Sequence, residues 1–339
     1  MEKIKKIIKK SLEQNPCEAE IRYDEPMKEH TTFKVGGPAD CWIRPHGEGF
    51  HAFCIDLLNI AYAEEIPVFI LGGGANIVVS DNGIRGIVLD MNAWNGECIW
   101  AFNAEEDEII FKSGTNIDEA ADRAVAAGLS GMEFLAGMPG TIGGAVWMNA
   151  RCYGREISDF LSWAEVVTNA EYKGKNEELS VNSEELIVNN EGFKKGKYSI
   201  KRVFNRGKGF GYKKSPFQGM DCLILSAAFK LRKGDKDKML AEMERNREDR
   251  GRKGHYDYPC AGSAFLNNRE FGKPTGQIID ELGLKGFRKG GAQVAPFHGN
   301  IVINTGNATS ADIRSLMDEV AERVKTATGF ILEPEILFI

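Results

Sequence analysis

The chain has 339 residues, of which 42% are hydrophobic, and a formal charge of −6. That length argues for two or three domains with real cores, and the acidic balance argues against broad nucleic-acid binding. No apolar run reaches the length of a membrane span, and the opening Met1-Glu-Lys-Ile-Lys-Lys leads into charged sequence instead of a secretory apolar core, so the expectation is a soluble, cytoplasmic protein. The seven cysteines (Cys17, Cys41, Cys54, Cys98, Cys152, Cys222, Cys260) are odd in number and widely spaced, and the five histidines do not cluster. Neither disulfides nor a structural metal are expected.

Ile4, Ile7, Ile8 and Leu12 recur at helical spacing among lysines, which predicts a short amphipathic helix over 2–12. Residues 31–40 read as a short strand broken by a Gly36-Gly37-Pro38 turn. Phe50, Phe53, Cys54, Leu57, Leu58 and Ala61 mark one helix face, which leads into a strand at 68–71. That strand runs into Gly72-Gly73-Gly74-Ala75-Asn76, then Ile77, Val78 and Val79 and an Asp81-Asn82-Gly83 turn. A glycine-rich turn at the carboxyl end of a strand presents amides to a phosphate, but a Rossmann fingerprint would space its glycines G-x-G-x-x-G and place a helix next. Here more β follows, so the loop reads as a cradle belonging to a different fold.

Residues 87–89 and 109–111 read as strands, and 118–127 as a helix closed by Gly128. In the stretch 132–156, Gly137, Gly140, Gly143 and Gly144 leave backbone amides bare of side chains. Pro139 fixes one φ angle, and Ala145, Val146 and Met148 offer an apolar run for a flat ring. By itself such a loop is as readily a tight turn. Strand-like pieces at 164–167 and 222–225 flank a polar segment, about 172–206, expected to be an exposed excursion. Its basic residues (Lys194, Lys195, Lys197, Lys201, Arg202, Arg206, with Lys208 beyond) read as a solvated face. A charged helix at 235–250, with Met239, Leu240 and Met243 on one side, opens a new unit. A helix at 275–282 ends at Gly283, and 290–304 returns as loop and strand. The last helix opens with Ser310 as its cap, turns Ile313, Leu316, Met317, Val320 and Val324 inward, and ends at Gly329. Residues 331–339 read as a closing strand carrying Glu333 and Glu335.

Six of these pieces occur in one order: Thr32-Phe33 with Gly36-Gly37; the loop from Leu71 to Ile77; the loop from Gly137 to Ala145 with Asn149; Gly211-Tyr212-Lys213-Lys214-Ser215; Gly262-Ser263-Ala264-Phe265; and Leu332-Glu333-Pro334-Glu335. In that order the chain resembles the UDP-N-acetylenolpyruvoylglucosamine reductase (MurB) family, from about Thr31 to its carboxyl end. The resemblance implies an α+β fold, with a vanillyl-alcohol-oxidase-type (PCMH-like) FAD domain in two lobes, 1–93 with the N-terminal helix and 94–231. A substrate-binding domain over 232–328 and a C-terminal strand, 329–339, returning Glu335 to the active site, would complete it. It implies a noncovalent FAD held by Thr32, by Gly72, Gly73, Gly74, Ala75, Asn76 and Ile77, and by Gly137, Pro139, Gly140, Thr141, Gly143, Gly144, Ala145 and Asn149. The implied reaction is NADPH-dependent reduction of UDP-N-acetylglucosamine enolpyruvate to UDP-N-acetylmuramate for peptidoglycan, with small molecules as partners and neither nucleic acid nor membrane.

By the same resemblance Ser263 is the proton donor and Glu335, preferred to Glu333, the acid near the substrate carboxylate. A carboxyl buried among apolar neighbours is expected to titrate high and to hydrogen-bond the developing enolate. The third position departs from the family's Tyr-Arg-x-Ser: Lys213 keeps the charge and loses the bidentate fork, so either Lys213 acts as a point charge or a nearby arginine substitutes. Ala75 replaces a usual serine, Arg151 and Cys152 replace a usual Gly-Ala, and no tyrosine-bearing insertion follows Phe229, as in the subgroup without that loop. Substrate contacts then fall to Tyr212, Arg250, Arg252, Lys253, His298 and Asn300. An FAD-dependent alcohol oxidase of the same superfamily, or an inactive flavin- or nucleotide-binding module, are the alternatives.

Overall fold

The structure, a computed structural model, describes residues 1–95, 108–169 and 198–339. The chain divides into two compact units. Unit 1 comprises Met1–Arg22, Cys41–Gly73 and Gly86–Asn246, and unit 2 comprises Tyr23–Asp40, Gly74–Arg85 and Arg247–Ile339.

Unit 1 is built on two four-stranded sheets. In the first the strands Glu18–Pro26, Pro38–His46, Ile84–Asp90 and Val68–Leu71 lie in that order, the last two parallel with Leu71 opposite Asp90. Helices α1 (Glu2–Gln14) and α2 (Phe50–Ala63) cover it, because the periodic Ile4, Ile7 and Ile8 meet Phe53, Cys54 and Leu57 in one core. The second sheet is antiparallel, in the order Tyr198–Phe204, Leu161–Asn169, Cys222–Lys230 and Glu108–Lys112. Helices α3 (Ile117–Ala126) and α4 (Ile142–Met148) pack their small apolar faces on Phe111, Ala227 and Phe229. Asn116 caps α3 by accepting the amides of Asp118 and Glu119, acids that suit a helix N-terminus. Helix α5 (Lys236–Arg252) contributes Met239 and Met243 to the same core, whereas Leu240 is exposed and so does not share their face.

The exposed excursion expected over 172–206 lies in part outside the described residues, together with Lys194, Lys195 and Lys197. Its described end is a strand: Tyr198–Phe204 pairs through seven residues with Leu161–Asn169, and Arg202 lies over the Trp163 ring at 4.0 Å. Cross-strand pairing and cation–π packing hold what charge density alone presented as a solvated face.

In unit 2 the antiparallel strands Cys260–Ser263, Ile301–Asn304, Ala292–Val294 and Arg288–Lys289 form a sheet covered by α6 (Thr275–Glu281) and α7 (Ser310–Thr328). Phe265, Ile278, Ile279, Leu316 and Val320 fill the space between. Thr309, not Ser310, caps α7, through a capping box with Asp312, and the Ser310 hydroxyl instead accepts the Asp81 amide at 2.9 Å. Two expected strands are largely absent. Residues 31–37 form a turn, with Lys34 at φ 56°, and the C-terminal segment is a strand only at Leu337–Phe338, paired with Ile77–Val78. Positive φ and the two prolines at 38 and 334 break the pattern that apolar alternation suggested.

Candidate active site

In unit 1 the two glycine loops touch. A Cβ at Gly72 would sit 2.6 Å from Thr141 Oγ1, and one at Gly73 would sit 2.7 Å from Gly140 Cα. Two backbones approach so closely only where side chains are absent. The amides of Gly72, Gly73, Gly140 and Thr141 have no hydrogen-bond partner among the described residues. They form the open cradle, and it is smaller than glycine content suggests. Gly137 donates to Asp118 Oδ1, Ile142 to the Thr115 carbonyl, Gly143 to the Ser113 carbonyl and Gly144 to Thr141 Oγ1. Gly143 is required by packing, since its Cβ would lie 2.8 Å from that of Ser113. Ala145 and Val146 are core residues, 3% and 0% exposed.

Asn149 is fully buried and its side chain is spent within the protein, donating to Glu156 Oε1 and the Gly211 carbonyl and accepting the Ser158 amide. It therefore holds other elements in place. What it holds is the turn at Tyr212-Lys213, where Gly211 and Lys214 exchange both backbone hydrogen bonds at 3.0 Å and Lys213 takes φ 57°. Ser215 Oγ bonds the Trp147 carbonyl at 2.6 Å and Gln218 Nε2 the Lys213 carbonyl at 3.0 Å, so the turn is tied on both sides. Lys213 is half-buried and Lys214 exposed. Arg151 lies over the Tyr212 ring at 5.6 Å and pairs with Glu156, which places a guanidinium beside this turn.

In unit 2 the structure brings Ser263 and Glu335 together. Ser263 ends its strand opposite Ile301, and the amide of Glu335 bonds the carbonyl of the next residue, Ala264, at 2.9 Å. Asn76 Nδ2 holds the Glu335 carbonyl at 3.1 Å. Glu335 is buried whereas Glu333 is exposed, which separates the two acids. Thr32 Oγ1 bonds the Cys260 carbonyl at 2.7 Å and the Thr32 amide bonds the Gly74 carbonyl, joining the segment 74–76 to the Ser263 strand. Gly74 is at φ 61°, and a Cβ there would meet the His30 carbonyl at 2.2 Å.

The residues expected to bind substrate divide. Asn300 is buried, and both ends of its amide clamp Phe265, accepting its N–H at 2.9 Å and donating to its carbonyl at 2.8 Å. It positions the Ser263 loop. His298 and His255 lie 6.2 Å apart, and His298 Nδ1 accepts the Asn300 amide. Burial, then the charge of Arg250, pushes His255 down to about 4, and burial with Lys253 and Lys285 lowers His298, so both imidazoles are neutral near pH 7. Arg250 is 7% exposed, whereas Arg252 and Lys253 are exposed and pair with Asp249. Among the described residues no three His, Cys, Asp or Glu side chains gather as a metal site, and no helix is long and apolar enough to cross a membrane.

Sequence patterning missed a buried network behind Gly72. Asn92 Nδ2 donates to the Gly72 carbonyl at 2.9 Å, and Asp90, fully buried at the end of an apolar strand, holds Asn92. An acid closing a run of valine, leucine and isoleucine was its only visible signal.

These loops define a flavin-binding protein: residues 51–172 match the family described as FAD binding domain, and 254–339 match the one described as UDP-N-acetylenolpyruvoylglucosamine reductase, C-terminal domain. A UDP-N-acetylenolpyruvoylglucosamine reductase of Treponema denticola is 36% identical over 323 residues, 95% of this chain and 94% of its own. One of Caldanaerobacter subterraneus subsp. tengcongensis is 35% identical over 339 residues, 100% of this chain and 97% of its own. The crystal structure of the reductase (MurB) from Thermus caldophilus superposes with a TM-score of 0.68 at 29% identity, over 95% of this chain and 99% of that one. The chain belongs to the UDP-N-acetylenolpyruvoylglucosamine reductase family, and its α+β fold includes an FAD-binding domain.

Proposed function

We propose that the protein reduces UDP-N-acetylglucosamine enolpyruvate to UDP-N-acetylmuramate in the cytoplasm, with NADPH as donor and FAD as noncovalent cofactor, in peptidoglycan precursor synthesis. The observation that carries the reading in this chain is the ladder that sets buried Glu335 beside the Ser263 strand, Glu335 N to Ala264 O at 2.9 Å. FAD fits the residues present: the open amides of Gly72, Gly73, Gly140 and Thr141 suit a diphosphate, and a Cβ at either of the first two would close the cradle. When bound, FAD supplies hydride transfer between NADPH and substrate.

The net reaction adds hydride to the methylene carbon of the enolpyruvyl ether and a proton to the adjacent carbon, while NADPH leaves as NADP⁺. Charge accumulates on that adjacent carbon and its carboxylate. Ser263 holds the proton and delivers it there from its hydroxyl. Glu335, buried and fixed through both its amide and its carbonyl, hydrogen-bonds the carboxylate side of the enolate. Lys213, held in a left-handed turn by Asn149 and Gln218, is the point charge this reading offers a carboxylate, with Arg151 as the neighbouring guanidinium. The imidazole of His298 and the Arg250 and Lys253 side chains belong to the nucleotide-binding part of unit 2. Lobes over 1–93 and 94–231 for flavin, 232–328 for substrate and 329–339 carrying Glu335 are the division this function needs.

Purified protein incubated with NADPH and the enolpyruvyl nucleotide without oxygen tests the reading. Stoichiometric UDP-N-acetylmuramate supports it. NADPH oxidation only when oxygen is admitted would make the chain an oxidase instead.

A further inference from the structure

We infer that Asn92 and Asp90 are positioning residues that fix the direction of the Gly73 amide, an inference that rests on the flavin reading of the Gly72-Gly73 loop. Asn92 Nδ2 donates to the Gly72 carbonyl at 2.9 Å. That carbonyl and the Gly73 N–H share one planar trans peptide unit, so they point in opposite directions and holding one aims the other. With the carbonyl drawn toward Asn92, the Gly73 N–H faces away from the protein's own hydrogen bonds, and it has no partner among the described residues. Glycine alone would let this peptide flip, because its φ and ψ are the least restricted of any residue.

The clamp is itself clamped. Asp90 Oδ1 accepts the Asn92 amide at 2.8 Å and Asn92 Nδ2 at 2.7 Å, while Oδ2 accepts Trp42 Nε1 at 3.1 Å and Arg44 Nη2 at 2.9 Å. Four donors surround a carboxylate that has no exposed surface. Arg44 lies over the Trp42 ring at 4.5 Å, and the Met91 amide bonds the Leu71 carbonyl at 2.9 Å, so the residues on either side of the loop are tied to the same sheet. A buried ion pair contributes little net stability compared with well-packed apolar residues. Its use here is geometric: it holds one amide donor in one rotamer against one carbonyl.

Asn92→Ala removes the donor to Gly72, and Asp90→Asn, nearly isosteric, replaces one acceptor oxygen by a donor facing donors. FAD affinity is read by dialysis of the purified holoenzymes, with the flavin absorption spectrum and the melting temperature in saturating FAD measured alongside. Asn92→Ala is expected to loosen FAD roughly tenfold, the factor associated with one lost hydrogen bond, and to lower melting in saturating FAD along with that lost affinity. Asp90→Asn is expected to follow in the same direction. Unaltered FAD affinity in both variants would overturn the inference and leave the proposed function standing. A fall in melting temperature with no change in affinity would also overturn it, by making the network purely structural. Wild-type protein that takes up no FAD would defeat the function and the inference together.

Discussion

Replacing Gly73 by alanine tests the cradle at its tightest point. The added Cβ would lie 2.7 Å from Gly140 Cα and 3.1 Å from Gly140 C, both backbone atoms that cannot rotate away. Carbon atoms in good contact sit about 3.5–4.0 Å apart, so the two loops must separate by roughly 1 Å. Overpacking of this kind costs about 1–3 kcal/mol. Where FAD binding needs the loops in their original places, the same free energy appears as a roughly 5- to 150-fold weaker FAD affinity. Stability falls as well, by roughly 2–4 °C in melting temperature for each kcal/mol in a domain of this size class. Dialysis of holoenzyme and a melting curve read both, with Gly251→Ala as the control, since that Cβ meets nothing within 4 Å. Gly73→Ala with unchanged FAD affinity and unchanged melting would refute the close-approach argument for these loops.

Ser263→Ala should keep flavin reduction by NADPH and slow product formation roughly hundredfold to ten-thousandfold, measured by rapid mixing of reduced enzyme with substrate; an unaltered second half-reaction would remove Ser263 from proton delivery. Lys213→Arg should keep or raise turnover. Lys213→Gly should relieve the left-handed strain at φ 57°, worth about 1–2 kcal/mol, yet lose turnover, and turnover that survives the glycine would show that the turn and not the charge matters. His255 is held down to about 4, below the ordinary 6.5, so the fold favours its neutral form. Its contribution is therefore complete above pH 6.5 and is lost as pH falls from there toward 4. Melting temperature measured across that window should decline less steeply in His255→Gln than in the parent, and parallel curves would contradict the assignment.

The apolar faces of α1, α2 and α7, the strand at 68–71 and the start of the one at 222–225 were legible, because periodicity survives in one dimension. Burial of Glu335 against exposure of Glu333 followed the apolar neighbours. Which amides stay open was not legible. Ile142, Gly143 and Gly144 are satisfied by Thr115, Ser113 and Thr141, partners that only the folded chain brings near. Nor was it legible that the side-chain amides of Asn149 and Asn300 donate to backbone elsewhere in the chain, at Gly211 and Phe265. The Asp90 network was invisible for the same reason, with donors arriving from residues 42, 44 and 92. The membership of 23–40 and 74–85 in unit 2 likewise depends on contacts far along the sequence.

The central claim is that this chain carries hydride from NADPH through FAD to the enolpyruvyl nucleotide. Anaerobic spectroscopy of the purified holoenzyme addresses it most directly: NADPH is expected to bleach the flavin bands, and the enolpyruvyl nucleotide alone, without oxygen, to restore them with formation of UDP-N-acetylmuramate. Bands that stay bleached until oxygen enters, or that NADPH never bleaches, would contradict it.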